Sequence, residues 1–117
     1  MRKSAIYVMG MFMLIVLMSI YNIVDTQQHE EIHKAIYEDY GINATIKYTY
    51  FSLDGRMGVT TAYYKDGQCP DLCKFSNELN EIVNYNVTSV VNTALLVVML
   101  YLFIQFLIAF KDEYDGI

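Results

Sequence analysis

AIYVMGMFMLIVLMSIYNIV, residues 5–24, is a run of 20 residues without a charged side chain. As an α-helix it rises about 30 Å, which matches the hydrocarbon thickness of a bilayer. A second run, VTSVVNTALLVVMLYLFIQFLIAF at 87–110, is equally free of charge and slightly longer. Of the 117 residues 55% are hydrophobic, and they gather in these two blocks instead of spreading evenly. Two transmembrane helices are expected. The first is read as an uncleaved anchor and not a signal peptide, because SIYNIVDTQQ has no small-x-small cleavage site.

Arg2 and Lys3 immediately precede the first block, and short basic ends stay in the cytoplasm. The expected layout is a cytoplasmic end at 1–4, a span at 5–24, an exterior segment at 25–86, a span at 87–110 and a cytoplasmic tail at 111–117, in the cell membrane. Three features of the exterior segment agree with that topology. Asn43-Ala-Thr45 and Asn86-Val-Thr88 are N-glycosylation sequons, which are used only outside the cytoplasm. Cys69 and Cys73, the chain's only cysteines, both lie there and read as a disulfide. Asn92 and Gln105 are single polar groups within the second span, suited to interhelical hydrogen bonds, and no charge inside either span marks an ion path. The net charge of −5, without clustered Lys or Arg, excludes nucleic acid as a partner. Nucleotide-binding loops and nucleophile elbows are absent as well.

Within the exterior segment, residues 25–40 contain neither Gly nor Pro, and Ile32, Ala35, Ile36 and Tyr40 recur at helical spacing until Gly41. This predicts a helix continuous with the first span. Residues 42–52 and 57–64 are rich in β-branched and aromatic side chains and flank Asp54-Gly55, which predicts a hairpin. A two-residue turn would set Tyr50 opposite Val59, Tyr48 opposite Thr61 and Ile46 opposite Tyr63. After Lys65–Pro70, residues 71–85 run helically into the second span, with Pro70 and Asp71 suited to the first turn. The fold class is α+β: two transmembrane helices extended into an exterior helix–hairpin–helix minidomain.

His29-Glu30-Glu31-Ile32-His33 is H-E-x-x-H, and on a helix its two imidazoles leave one face together, as two ligands of one zinc ion must. Glu30 then stands where a carboxylate can act as general base on water. A solvated helix rich in glutamate can carry the same letters. A catalytic zinc needs a third protein ligand, and no further histidine exists. Glu78 and Glu81, one turn apart in SNELNEIVNY, are the candidates. If both helices continue from their spans, the histidines stand about 8 and 14 Å above the bilayer core, Glu81 about 10 Å and Glu78 about 15 Å. Glu81 is level with the pair, and Glu78 is the alternative.

HEEIH followed some 45 residues later by LNEIVNY resembles the gluzincin metallopeptidases, most closely the small minigluzincin-like members. The resemblance covers these two motifs and their spacing. It implies a zincin-like minidomain with His29, His33 and Glu81 as Zn2+ ligands and Glu30 as catalytic base. The strands that precede the active-site helix in larger gluzincins are replaced here by a membrane span, and Asn84 and Tyr85 stand where an acid or small residue is usual. An oxyanion donor is also needed, for which Tyr37, Tyr40 and Tyr85 are available, with Tyr85 preferred as one turn past Glu81.

Two functions are thus expected to compete. One is a membrane-anchored zinc metallopeptidase cleaving peptide or protein substrates near the outer membrane surface. The other is a non-catalytic two-span protein whose exterior loop, zinc-stapled or metal-free, binds a partner subunit. So short an exterior segment has little surface for a cleft, and a homo-oligomer or a membrane partner would supply the missing walls.

Overall fold

The computed structural model describes residues 2–49 and 57–116. Its elements are α1 (Lys3–Asp39), β1 (Ala44–Tyr48), β2 (Gly58–Ala62) and α2 (Asp71–Asp115). The two helices, of 37 and 45 residues, are continuous through the points where the apolar blocks give way to polar sequence. Both are long and apolar enough to cross a membrane. The chain divides into two units: residues up to Tyr21 together with those from Ser89 onward, and Asn22–Thr88.

The first unit consists of the apolar helical stretches. Their large side chains are left uncovered, Phe12 at 65% and Val90 at 70% exposure among them. Leu102 packs over Gly10, where a β-carbon would come 3.6 Å from the leucine methyl. Near the first turn of α1, Glu113 accepts two hydrogen bonds from Ser4, one from its amide at 3.1 Å and one from its hydroxyl at 2.5 Å. A carboxylate there satisfies a backbone donor that the helix cannot and opposes the positive end of its dipole.

The second unit is built on the Gly41 stop. Gly41 has φ +73°, its amide bonds to the Glu38 carbonyl at 2.9 Å, and the Ile42 amide reaches the Tyr37 carbonyl at 3.0 Å. This is a Schellman cap, which glycine enters without a steric penalty at its β-carbon. Ile42, 1% exposed, folds back onto Tyr37 and joins Cys69 and Cys73 in the small buried cluster, with Ile36, Tyr40 and Ala62 packed around it. The expected disulfide is present: Cys69 and Cys73 are bonded with α-carbons 5.2 Å apart. Pro70 falls just before α2, its carbonyl accepting the Lys74 amide at 3.1 Å, and Asp71 opens the first turn.

The hairpin is antiparallel, as expected, but its register differs. Ala44 pairs with Ala62, Ile46 with Thr60 and Tyr48 with Gly58. Beyond them the Thr49 amide bonds to the Met57 carbonyl at 2.8 Å. The expected Asp54-Gly55 turn and the Tyr50 pairing lie outside the described residues. An odd shift in register exchanges the faces of a strand. Gly58, Thr60 and Ala62 therefore share the face of Ala44, Ile46 and Tyr48, where Val59, Thr61 and Tyr63 were expected. The reason is a close approach: a β-carbon on Gly58 would lie 3.0 Å from both Glu30 Cγ and Thr26 Cγ2 and 3.2 Å from Tyr48 Cδ1. Only glycine lets β2 come so near α1.

Candidate metal centre

His29, Glu30 and His33 all lie on the part of α1 within the second unit, and all are buried, at 9%, 6% and 8% exposure. One helical turn sets the two imidazoles edge to face, their centroids 4.6 Å apart. α2 brings Glu81 to them. Its Oε1 stands 2.7 Å from His33 Nε2 and 3.1 Å from His29 Nε2. Ligand atoms of these three residues all lie within 4.8 Å of one another, so the group can hold a metal ion. The alternative ligand, Glu78, is exposed and is not part of the group.

Asn77, one turn before Glu81, supplies a partner for His33. Its Nδ2 donates to the Cys73 carbonyl at 3.1 Å, which turns Oδ1 toward His33 Nδ1 at 2.7 Å. An amide oxygen only accepts, so His33 Nδ1 carries the hydrogen. In a neutral ring Nε2 is then a bare lone pair, facing a carboxylate oxygen 2.7 Å away. Two acceptors at that distance repel unless positive charge lies between or upon them. Either a proton on the imidazole or a metal cation satisfies the geometry, and a fixed Nδ1–H tautomer is how histidine ligands are commonly held. Asn80 Nδ2 donates to the His29 carbonyl at 3.1 Å and so ties the two helices at the same level. His29 Nδ1 is buried with no hydrogen-bond partner among the described residues.

Electrostatics favour the ionised form of Glu81. Burial pulls the Glu81 carboxyl upward, but the hydrogen bond from His33 and the charges of His29 and His33 outweigh it, leaving it below the ordinary glutamate value. A deprotonated carboxylate is what a cation requires of this position. The cysteines offer no competing thiolates, being tied together.

Glu30 is held separately. Thr60 Oγ1 donates to Glu30 Oε2 and also lies 3.2 Å from the Glu30 carbonyl oxygen. The other carboxylate oxygen, Oε1, stands 3.9 Å from His29 Nε2. Glu30 is thus beside the ligand group without belonging to it. Thr60 reaches it only because the register places even-numbered residues of β2 toward α1.

These side chains line an open-mouthed cavity of about 620 Å3. His29, Glu30, His33 and Glu81 form one part of its wall, β2 contributes Gly58, Val59 and Thr60, and Asp25 and Thr88 also line it. Tyr37 lines it too, one turn beyond His33. Burial, and then the neighbouring Tyr64, push its phenol above the ordinary tyrosine value, so it stays a hydroxyl donor. Tyr85 is 74% exposed and does not line the cavity. Tyr40 packs instead against the disulfide cluster. Asn43 and Asn86 are both exposed.

No protein family, curated protein or solved structure matches this chain.

Proposed function

We propose that the chain is a membrane-anchored zinc metallopeptidase of the gluzincin type, acting on peptide bonds close to the outer face of the cell membrane. The observation that carries this reading is the placement of Glu30. A buried carboxylate, held at one oxygen by Thr60, has its other oxygen 3.9 Å from a nitrogen of a two-histidine, one-carboxylate group. A structural metal site has no use for a second, separately anchored carboxylate, whereas hydrolysis needs a base beside its electrophile.

The donor set fits zinc in number and chemistry, with two imidazoles, one carboxylate and room for a fourth position. Zinc held by His29, His33 and Glu81 would supply a Lewis acid that polarises the scissile carbonyl and acidifies water. Glu30 Oε1 takes the proton from the attacking water, and Thr60 fixes the direction from which it does so. The same carboxyl then returns a proton to the departing amine. Tyr37, protonated and within the cavity, donates a hydrogen bond to the oxyanion. Asn77 keeps the lone pair of His33 Nε2 turned toward the site.

Membrane anchoring is supported by two charge-free helical stretches whose apolar side chains are left uncovered by the protein. A bilayer covers such surface without further chain. Arg2 and Lys3 favour cytoplasmic termini, so that the second unit, its disulfide and both sequons face outward. The competing reading, a metal staple that shapes a partner-binding loop, draws on the fact that the three ligands come from two helices.

Metal content and hydrolysis measured on wild type, Glu30→Gln and Glu81→Gln separate the two. The peptidase retains one zinc per chain in Glu30→Gln while hydrolysis drops by about 100-fold or more, the usual worth of a general base, and Glu81→Gln loses the metal. Wild-type protein that takes up no metal defeats both readings, and hydrolysis unchanged in Glu30→Gln defeats the enzyme.

A further inference from the structure

Three carboxylates line the cavity, and the metal group with its base uses only two of them. Glu81 is the ligand and Glu30 the base; Asp25 is the third. It lies one helical turn before His29 and two before His33, so all three side chains leave the same face of α1. Thr88 Oγ1 donates to Asp25 Oδ2 at 2.6 Å, which sets the plane of that carboxylate from the opposite helix. Among the described residues lining the cavity there is no lysine or arginine. A divalent cation with two neutral imidazoles offsets two of the three negative charges, and one remains. In a partly buried site that uncompensated charge is costly, and a ligand carrying positive charge relieves it.

We propose that Asp25 selects a cationic group on the peptide taken by this cavity, the side chain of a lysine or arginine next to the scissile bond or a free amino terminus. The inference rests on the peptidase reading above. One turn of α1 separates Asp25 from His29, about 5–6 Å, a reach that a basic side chain spans from the residue beside the bond. An acidic peptide would bring a fourth carboxylate into the same cavity, and its rejection follows from the same charge count.

The test uses the zinc-loaded full-length chain with its three cavity carboxylates intact, in lipid nanodiscs, and peptides N-methylated at the bonds flanking the central residue, so that they bind without turnover. Labelled, N-acetylated alanine peptides with a single central Lys, Leu or Glu are compared by fluorescence anisotropy, together with a Leu peptide whose amino terminus is free. The Lys peptide is expected to bind about tenfold tighter than the Leu peptide, the usual scale of a close, partly desolvated charge pair, with the Glu peptide weakest. A gain for the free-amine Leu peptide assigns the pocket to the terminus, and a gain for the Lys peptide alone to the side chain. Adding Asp25→Asn is expected to erase the preference, and Asp25→Glu to restore it, which separates charge from folding. Equal affinity for the three acetylated peptides and the free-amine peptide, or a preference that survives Asp25→Asn, overturns the proposal. Parallel hydrolysis assays with the unmethylated peptides keep the two readings apart. Cleavage of all peptides at one rate defeats the Asp25 role and leaves the peptidase standing, whereas charge-selective binding without cleavage does the reverse.

Discussion

Replacing Asn77 by alanine removes the acceptor that holds His33 Nδ1–H while leaving all three proposed ligands in place. The bond is short, 2.7 Å, and both partners are more than nine-tenths buried, so water does not take the amide's place. Loss of a ligand-orienting partner lowers metal affinity by about 10- to 100-fold, equivalent to about 1.4–2.7 kcal/mol. Burial puts the expected loss here in the upper half of that range. Asn77→Asp keeps an acceptor at the same position and should retain wild-type affinity, whereas Asn77→Leu keeps the bulk without the acceptor and should behave as alanine does. Zinc competition with a chromophoric chelator measures the affinity, and the long-range proton–nitrogen spectrum of the zinc-bound protein should show His33 protonated at Nδ1. If alanine, leucine and wild type bind zinc within threefold of one another, the tautomer argument is wrong. A spectrum with the proton on Nε2 would refute it directly, since that nitrogen could not then be a ligand.

Two further outcomes are expected. Gly58→Val places side-chain atoms where a β-carbon already meets Glu30 Cγ and Thr26 Cγ2 at 3.0 Å; it should push β2 off α1, destabilise the second unit by about 1–3 kcal/mol in thermal unfolding and, on the proposed mechanism, lower hydrolysis by freeing Glu30 from Thr60, while zinc content stays near one per chain. Within the first unit, the side-chain and backbone hydrogen bonds from Ser4 hold the Glu113 carboxyl below the ordinary glutamate value. Its folded-state value is depressed, so its contribution is present above the ordinary range and is lost as the pH falls through the lowered one. Hydrogen-exchange protection of the Ser4 amide should therefore fall on acidification in wild type and be low and pH-independent in this respect in Glu113→Gln.

What was legible in the sequence had a linear period. His29, Glu30 and His33 share a helix face by spacing alone, and Glu81 could be placed opposite them because two uninterrupted helices convert residue number into height. The disulfide and the Gly41 stop were equally plain, each resting on a residue type with few alternative uses. Asn77 and Thr60 were not legible, for different reasons. An asparagine in a helix has many fates, and Asn77 gains its role only from Cys73 behind it and His33 across from it. Thr60 depends on strand register, which Asp54-Gly55 seemed to dictate locally. The close approach at Gly58 is a contact between distant parts of the chain, and it selects a register shifted by three residues. Tyr85 was favoured by its turn relation to Glu81, yet on α2 it is exposed, and the tyrosine on the cavity is Tyr37 on α1.

The sharing of one carboxylate oxygen between two histidines has a consequence for how the protein is made. His33 and Glu81 are 48 residues apart, and at about 5–20 residues per second a ribosome needs roughly 2–10 s to pass from one to the other. Through that interval the nascent first helix displays two histidines and a base with no third ligand. Neither helix alone carries the full set, so an ion held by all three residues would be bound only after the second helix has been synthesised and has met the first. A peptidase of this design would stay silent on the polypeptides being made around it, becoming competent only when its own chain is complete.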